Sequence, residues 1–209
     1  MIKVELTDVW GFEHAVRGMR NPMNSWDRSD SHYSRDHTRF IIGKDDMKLM
    51  QKLYKAGTEH RKYMRQIFVS LDITAPLYWW KEFDTYKVGT TANSCSTMHK
   101  IHSKEFCIED FSFENLVITH EGKKAAQEII NALNHFREIY LQSKSKKYWW
   151  QMIQTLPTSY NQKRTVTINY ENAVTIIRQR SGHKLDEWKE LINELSKLPY
   201  MQEITGGGV

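Results

Sequence analysis

The sequence predicts a mixed fold of β-strands and α-helices, because two hydrophobic periodicities alternate along it. Met1 to Trp10 and Tyr63 to Ile73 alternate apolar with polar residues, which is typical of strands. Lys123 to Leu141 repeats apolar residues at helical spacing and predicts a long helix with a wide apolar face. The chain has 209 residues, of which 40% are apolar. It is therefore long enough to bury a core, and we expect a single domain over residues 1–209.

Shorter elements follow from local signals. Asp45 to Ala56 predicts a helix that Asp45 or Asp46 caps and Gly57 ends. Pro76 suits the first turn of another helix, since a missing N–H costs nothing there. We also expect helices over 12–19 and 146–155, a short strand or an extended lead-in over 164–168, a long polar loop over 21–39, and a flexible tail over 201–209. The His and Asp residues of the polar loop match no metal-site spacing, so we predict no metal.

Composition narrows the class of partner. The net charge is +5 and the isoelectric point about 9.1, which favours anionic ligands. The cations are scattered, so nucleic acid is the less favoured partner. No run of about 18 apolar residues predicts a membrane span, and the first residues read as a strand and not as a signal peptide. Cys95 and Cys107 give no disulfide framework, so we expect a reducing cytoplasm.

The most informative stretch runs from Thr167 to Trp188. Asn169 stands where a helix can begin, and its side chain can cap the first free N–H groups. Arg180 shares a helical face with Ile176 and Ile177, and Gly182 suits the helix end. Asn169 and Arg180 would lie roughly 16 Å apart along this helix. That spacing can line one long ligand or contact two.

These residues carry a family resemblance. Leu156-Pro157, Thr167-x-Asn169 and Arg180, with a His and a Trp shortly after, resemble the C-terminal half of the flavin-dependent thymidylate synthases, the ThyX family. The resemblance implies that Asn169 touches the flavin and that Arg180 touches the pyrimidine substrate. His60, a strand and Ala75-Pro76-Leu77-Tyr78 also resemble the family in that order, which implies a flavin contact for His60.

The family signature is diverged. The family carries Arg-His-Arg-x-x-Ser-x-Asn-Glu-x-Ser-x-Arg-Tyr, and Asn93 and Ser96 match it at the right spacing. Thr91 stands for the first Ser, and Lys87 replaces the last Arg of the triplet if one residue is inserted. The positions that depart are Thr85, Tyr86, Ser94, Met98 and His99, and Ile153 stands where the family has a further Arg. Methionine cannot bind phosphate as an arginine fork does.

The resemblance implies an α+β, ThyX-like fold with a twisted, largely antiparallel sheet flanked by long helices. It also implies a homotetramer that binds FAD and a nucleotide, with a reduced folate and NADPH as possible co-substrates. The cofactor residues carried over are His60, Lys87, Thr91, Asn93 and Asn169, and the substrate residues are Ser94, Ser96, Thr97 and Arg180. Catalytic residues stay unassigned.

Three functions remain open at this stage. The first is a flavin-dependent enzyme that transfers a methyl or hydroxymethyl group to a pyrimidine nucleotide, with dUMP or another nucleotide as substrate. The second is a non-catalytic protein that binds a nucleotide-like ligand in the same inter-subunit pocket. The third is a structural protein that keeps only the fold. Small polar residues from Thr90 to Thr97 can still cradle an anion in either of the first two.

Overall fold

The computed structural model describes residues 2–207, so Met1, Gly208 and Val209 lie outside the description. The strands are β1 (Lys3–Trp10), β2 (His32–Tyr33), β3 (Phe40–Ile41), β4 (Phe68–Pro76), β5 (Thr91–Ser94) and β6 (Asn161–Asn169). The helices are α1 (Phe12–Arg20), α2 (Lys44–Lys55), α3 (Leu77–Phe83), α4 (His120–Ser143), α5 (Lys146–Thr155), α6 (Tyr170–Arg180), α7 (Glu187–Ser196) and α8 (Met201–Thr205). The predicted α+β class is confirmed.

The chain forms two compact units. Unit 1 comprises Met1–Lys3, Ile73–Thr85 and Asn93–Thr165, and unit 2 comprises Val4–Asp72, Tyr86–Ala92 and Val166–Val209. The single domain expected over 1–209 stays a prediction. No helix within residues 2–207 is long and apolar enough to cross a membrane.

A four-stranded antiparallel sheet has the strand order β1-β4-β6-β5. The backbone N–H of Leu77 donates to Tyr160 (3.0 Å), and that of Tyr170 donates to Ile67 (3.0 Å). These bonds lie at opposite ends of the β4–β6 pair, as antiparallel register requires. Alternate residues of β4 are buried from Val69 to Ala75, as the sequence pattern predicts. The strand begins later than expected because a 3₁₀ turn occupies Lys62–Gln66.

The core of unit 1 is rich in aromatic residues. Trp79 and Trp80 of α3 are buried and meet edge to face, with ring centroids 4.9 Å apart. A separate cluster joins the segment before α4 to α4 and α5. Its buried members are Ile101, Phe106, Phe111, Phe113, Ala126, Ile130, Leu133 and Met152. The segment from Ile101 to Phe113 is therefore held in place by packing against two helices.

Helices α6 and α7 build much of the core of unit 2. Trp188, Leu191 and Leu195 of α7 are fully buried and follow each other at helical spacing. The flexible tail expected from residue 201 is wrong over 201–205. Helix α8 forms there because Met201 and Ile204 are fully buried and anchor it.

Asp46 organises the polar segment that precedes α2. The expected capping of α2 by Asp45 or Asp46 is wrong: the N-cap residue is Gly43, and the carboxylate of Asp30 accepts from the N–H groups of Asp45 (2.9 Å) and Asp46 (3.0 Å). The carboxylate of Asp46 instead accepts hydrogen bonds from Arg20 (2.8 Å), Ser29 (2.8 Å) and Ser31 (2.7 Å). It is fully buried and paired with Arg20. The predicted long loop is thus pinned at this carboxylate, and it also contains the short β2–β3 hairpin.

Candidate ligand site along helix α6

Asn169 caps helix α6, as the sequence predicts. Its backbone is extended (φ −106°, ψ 169°), and its side-chain Oδ1 accepts a hydrogen bond from the N–H of Asn172 at 2.9 Å. The residue is only 7% exposed. The side-chain oxygen of Asn169 is therefore engaged in capping the helix, and the side chain is buried within unit 2.

A short segment of the diverged signature, Tyr86 to Thr90, contacts this helix start. Asn172 donates from Nδ2 to the Val88 carbonyl (2.7 Å) and to Thr90 Oγ1 (3.0 Å). Gly89 has a positive φ of 71°, and a Cβ built there would lie 2.6 Å from Nδ2 of Asn169. Only glycine therefore fits at this position without displacing the asparagine. Asn172 and Gly89 were missed by sequence reasoning, although an Asn three residues after a cap is a visible signal.

Arg180, at the other end of α6, is held between aromatic rings. Its guanidinium carbon lies 4.6 Å from the Trp188 ring centroid and 5.3 Å from that of Tyr86. Its Nε donates to the Tyr86 hydroxyl at 2.9 Å, and that hydroxyl lies 3.1 Å from Gln179 Oε1. Stacking on both rings and the hydrogen bond to Tyr86 fix the position of the guanidinium. A fixed, half-buried cation of this kind suits recognition of an anionic or carbonyl-rich ligand.

His183 orders the elbow after α6. Its backbone N–H donates to the Arg180 carbonyl (3.0 Å), and its Nδ1 accepts from the N–H of Leu185 (3.1 Å). Its ring centroid lies 6.0 Å from that of Trp188. Gly182 has a φ of 79°, as its place after the helix predicts. The turn after α6 thus places the ring of Trp188 against the guanidinium of Arg180.

The other predicted residues of unit 2 are exposed. His60 follows a turn in which its backbone N–H donates to the Gly57 carbonyl (3.0 Å). Lys87 and Thr91 also present their side chains to solvent. The structure brings Asn169 close to residues 88–90 and Arg180 close to Tyr86, and the His60 side chain is exposed to solvent. The predicted contacts of His60, Lys87 and Thr91 with a cofactor stay predictions.

The remaining predicted residues, Asn93, Ser94, Ser96 and Thr97, belong to unit 1. The expected polar cradle is instead partly a strand, since β5 covers Thr91–Ser94 and the next amide, Cys95, donates to Lys163 at 2.9 Å. Ser96 Oγ accepts from the N–H groups of Met98 (3.2 Å) and His99 (3.0 Å). Strand pairing turns successive amides to opposite sides, so this stretch does not converge its N–H groups on one anion.

The donor types fit a flavin nucleotide in part. The Lys87 ammonium, the Thr91 hydroxyl and the Asn93 amide are exposed and can bind phosphate and ring carbonyl oxygens. Lys87 is the single cation among these three residues, so they offer little positive charge to a diphosphate. The side chain of Asn169 is buried and its oxygen accepts from Asn172, so only its amide nitrogen can contact a ligand.

A separate cavity of about 730 Å³ in unit 2 is lined by none of the predicted residues. It lies beside β1, α1 and the β2–β3 hairpin, with Trp10, Tyr33 and Phe40 on its walls. The Tyr33 hydroxyl donates to Glu13 at 2.8 Å, and this bond raises the pKa of Tyr33. The aromatic residues that form it are dispersed in sequence, which is why no local pattern indicates it.

The comparisons with known proteins concern the fold. No family model and no curated protein matches the sequence. Solved structures do match. One is a crystal structure of the flavin-dependent thymidylate synthase ThyX from Helicobacter pylori complexed with FAD and dUMP, with a TM-score of 0.68, 16% identity and coverage of 97% of each chain. A second structure of ThyX from that organism with FAD and dUMP gives a TM-score of 0.69 and 16% identity, and covers 98% of this chain and 97% of that one. The fold is ThyX-like.

Proposed function

We propose that the chain is a diverged flavin-dependent thymidylate synthase-like protein that transfers a methyl or hydroxymethyl group to a pyrimidine nucleotide. One observation carries the proposal: within a ThyX-like fold, Asn169 and Arg180 lie at the two ends of α6, and both contact the Tyr86–Thr90 segment. Asn169 and Arg180, on which the sequence resemblance rests, are therefore linked through one short segment of the chain, and this supports the proposal.

The proposed roles follow the resemblance. His60, Lys87, Thr91, Asn93 and Asn169 would hold FAD, and the residues that would hold the nucleotide are Ser94, Ser96, Thr97 and Arg180. When bound, reduced flavin supplies a hydride, and a reduced folate and NADPH supply the one-carbon unit and the reducing equivalents. Arg180 orients the pyrimidine because its guanidinium is already fixed between two rings. We extend the proposal to a homotetramer, since the family's sites lie between subunits, and to the cytoplasm, since the two cysteines give no disulfide framework.

A second candidate function is a non-catalytic protein that binds a nucleotide-like ligand. The contact between Gly89 and Asn169 favours it, because it covers the side chain that would touch the flavin. Three departures from the family pattern favour it as well, because each puts an uncharged side chain where the family has a charged one: Ser94, Met98 and Ile153. Under this proposal Arg180 binds the ligand and no flavin is retained.

Flavin content separates the two functions. The full chain is purified, its visible absorption spectrum is recorded, and it is then incubated with FAD and gel-filtered. The enzyme predicts a flavin spectrum before or after incubation. The binding protein predicts colourless protein that gains no flavin but shows a thermal shift with dUMP or another pyrimidine nucleotide. A protein that neither takes up flavin nor shifts with a nucleotide would contradict both proposals, and a structural protein that keeps only the fold would then be the remaining function.

A further inference from the structure

The cavity of about 730 Å³ beside β1 in unit 2 has the size of a small-molecule site, since such sites measure about 300–1,000 Å³. None of the residues assigned to the flavin or the nucleotide lines it. Part of its wall comes from the long polar loop over 21–39, for which the proposed function has no use. Long loops in compact domains are commonly functional. The cavity is therefore a candidate site for a different ligand.

The β2–β3 hairpin, which forms one wall of the cavity, is held in a fixed position. Its strands pair Tyr33 with Phe40, and the two rings meet edge to face with centroids 5.2 Å apart. The segment before the hairpin is tied to the buried carboxylate of Asp46, which accepts from the N–H groups of Asp30 and Ser31 at 3.1 Å each. This wall is therefore formed before a ligand binds, and little ordering of the loop opposes binding.

Tyr200 joins the walls in a conformation that bulky residues rarely adopt. Its backbone is left-handed (φ 61°, ψ 7°), and such outliers persist only where surrounding contacts fix them. Its ring meets Phe12 edge to face with centroids 5.5 Å apart. Its hydroxyl donates to the Phe40 carbonyl and accepts from the N–H of Ile42, both at 3.4 Å. The strained residue thus ties the start of α8 to α1 and to the hairpin.

Aromatic rings give the cavity its apolar surface. Trp10 is 42% exposed and Tyr33 is 43% exposed, and Trp10 stacks on Phe68 at 5.7 Å between centroids. Ring faces stack on other flat rings and attract cations. A ligand with a ring of its own would therefore match this surface. The aromatic lining residues are Trp10, Phe12, Tyr33, Phe40 and Tyr200.

Two carboxylates give the cavity a negative balance. Glu13 accepts from the Tyr33 hydroxyl through Oε2 at 2.8 Å, which leaves Oε1 for a ligand. The Glu203 carboxylate forms no ion pair with another residue of the described part of the chain. Arg39 is the one guanidinium among the described lining residues. With His14 neutral, the lining thus has a net negative charge in a chain whose net charge is +5.

We infer that this cavity binds a planar organic cation, an aromatic or heteroaromatic ring that carries a protonated amine or amidine. The ring of the ligand stacks on Trp10 and Tyr33, and its positive charge lies near the carboxylates of Glu13 and Glu203. An anion would meet two like charges and the negative faces of the rings. The site shares no residue with the proposed flavin and nucleotide sites, so it goes beyond the proposed function.

Calorimetric titration of the full chain with three indole compounds tests the charge requirement. Tryptamine carries an ammonium group, indole-3-acetamide is neutral and indole-3-acetate is an anion. We expect tryptamine to bind at least about tenfold more tightly than the amide, and the acetate to bind most weakly. Potassium chloride should weaken tryptamine binding, because both carboxylates are exposed. Equal affinities for tryptamine and the amide, tighter binding of the acetate, or no binding of tryptamine would overturn the inference.

The Glu13→Gln/Glu203→Gln variant removes both negative charges and keeps the size of the side chains. Its affinity for tryptamine should fall about tenfold, whereas its affinity for indole-3-acetamide should not change. Both residues are exposed, so the fold should persist, and circular dichroism checks this. The matched control Glu59→Gln/Glu190→Gln removes two exposed carboxylates of unit 2 that do not line the cavity. An equal loss in the control would mean that overall charge attracts tryptamine, and the site would fall.

Trp10→Leu tests the ring surface and should weaken the binding of both tryptamine and indole-3-acetamide. Trp26→Leu is its control, since Trp26 is another exposed tryptophan of unit 2 and lies outside the cavity lining. Wild-type affinity in Trp10→Leu, or an equal loss in Trp26→Leu, would overturn the site. Flavin content should be the same in Trp10→Leu and the wild type. The cation site thus stands or falls on tryptamine affinity, whatever the outcome of the flavin measurement.

Discussion

The two ends of helix α6 treat charge in different ways. At the N-terminal end, Glu171 and Arg61 are each 8% exposed and form a buried pair, with Arg61 Nη2 2.8 Å from Glu171 Oε1. Asn169 at the same end is the N-cap, and its side chain accepts from the N–H of Asn172. At the C-terminal end, Arg180 is half-buried and lies between the rings of Tyr86 and Trp188. Burial makes the first end sensitive to the loss of either partner of the ion pair, whereas the rings of Tyr86 and Trp188 hold the Arg180 guanidinium at a half-buried position. We therefore expect the first end to govern stability and the second to govern ligand binding.

The strongest test of this contrast is Arg61→Met. It leaves Glu171 buried without its partner, and breaking such pairs costs about 3–5 kcal/mol in the free energy of unfolding. Arg61 also donates from Nε to both carboxylate oxygens (2.9 and 3.1 Å), so several bonds are lost together. Urea denaturation of the wild type and the variant measures the difference.

The double variant Arg61→Met/Glu171→Leu is the control for this prediction. Removing both charges leaves no unpaired buried group, so the double variant should be more stable than Arg61→Met alone. A double variant that is less stable than the single one would mean that Glu171 stabilises the fold through something other than its pair with Arg61, since the contact of Arg61 with the Tyr54 ring (5.3 Å) is lost in both variants.

An intermediate effect is expected at Asn169. Asn169→Ala removes the cap and should lower the free energy of unfolding by about 1–2 kcal/mol. Asn169→Asp keeps an oxygen that accepts from the N–H of Asn172, so it should retain most of the stability while the amide nitrogen is lost. If Asn169 holds flavin, both variants should lose flavin content. Flavin loss in the alanine variant alone would assign Asn169 a structural role only.

Local signals in the sequence were sufficient where a residue acts on its own neighbours. Asn169 caps the N–H three residues later, Gly182 takes a positive φ one residue after the cap, and the alternation of β4 reports one buried face. Lys146–Thr155 is a helix with the predicted bounds. In each case the energy that decides the structure comes from groups within a few residues, so the pattern contains the answer.

Contacts between distant residues were not accessible in the same way. Asp46 has the chemistry of a cap, yet Arg20, Ser29 and Ser31 together offer it more hydrogen bonds than its own helix does. Residues 88–90 are held against α6 by hydrogen bonds from Asn172, which lies more than 80 positions further along the chain. β5 forms because the edge of β6 offers partners to a stretch that is otherwise typical of a turn. Long-range pairing overrode local preference at all three places.

The smallest stability effect is expected from Tyr86→Phe. The ring that stacks on Arg180 remains, and the hydroxyl is lost, which accepts from Arg180 Nε and donates to Gln179 Oε1. Since Arg180 is half-buried, water can replace that acceptor, and the free energy of unfolding should fall by about 0.5–1 kcal/mol. If Tyr86 positions the guanidinium, nucleotide affinity should fall much more than stability does. Arg180→Ala sets the upper limit, since it should abolish the contribution of the cation and leave the fold intact. Calorimetric titration with dUMP and urea denaturation of both variants measure the two effects side by side. Equal affinities in wild type and Arg180→Ala would show that the C-terminal end of α6 contacts no ligand, and the contrast between its two ends would then be one of stability alone.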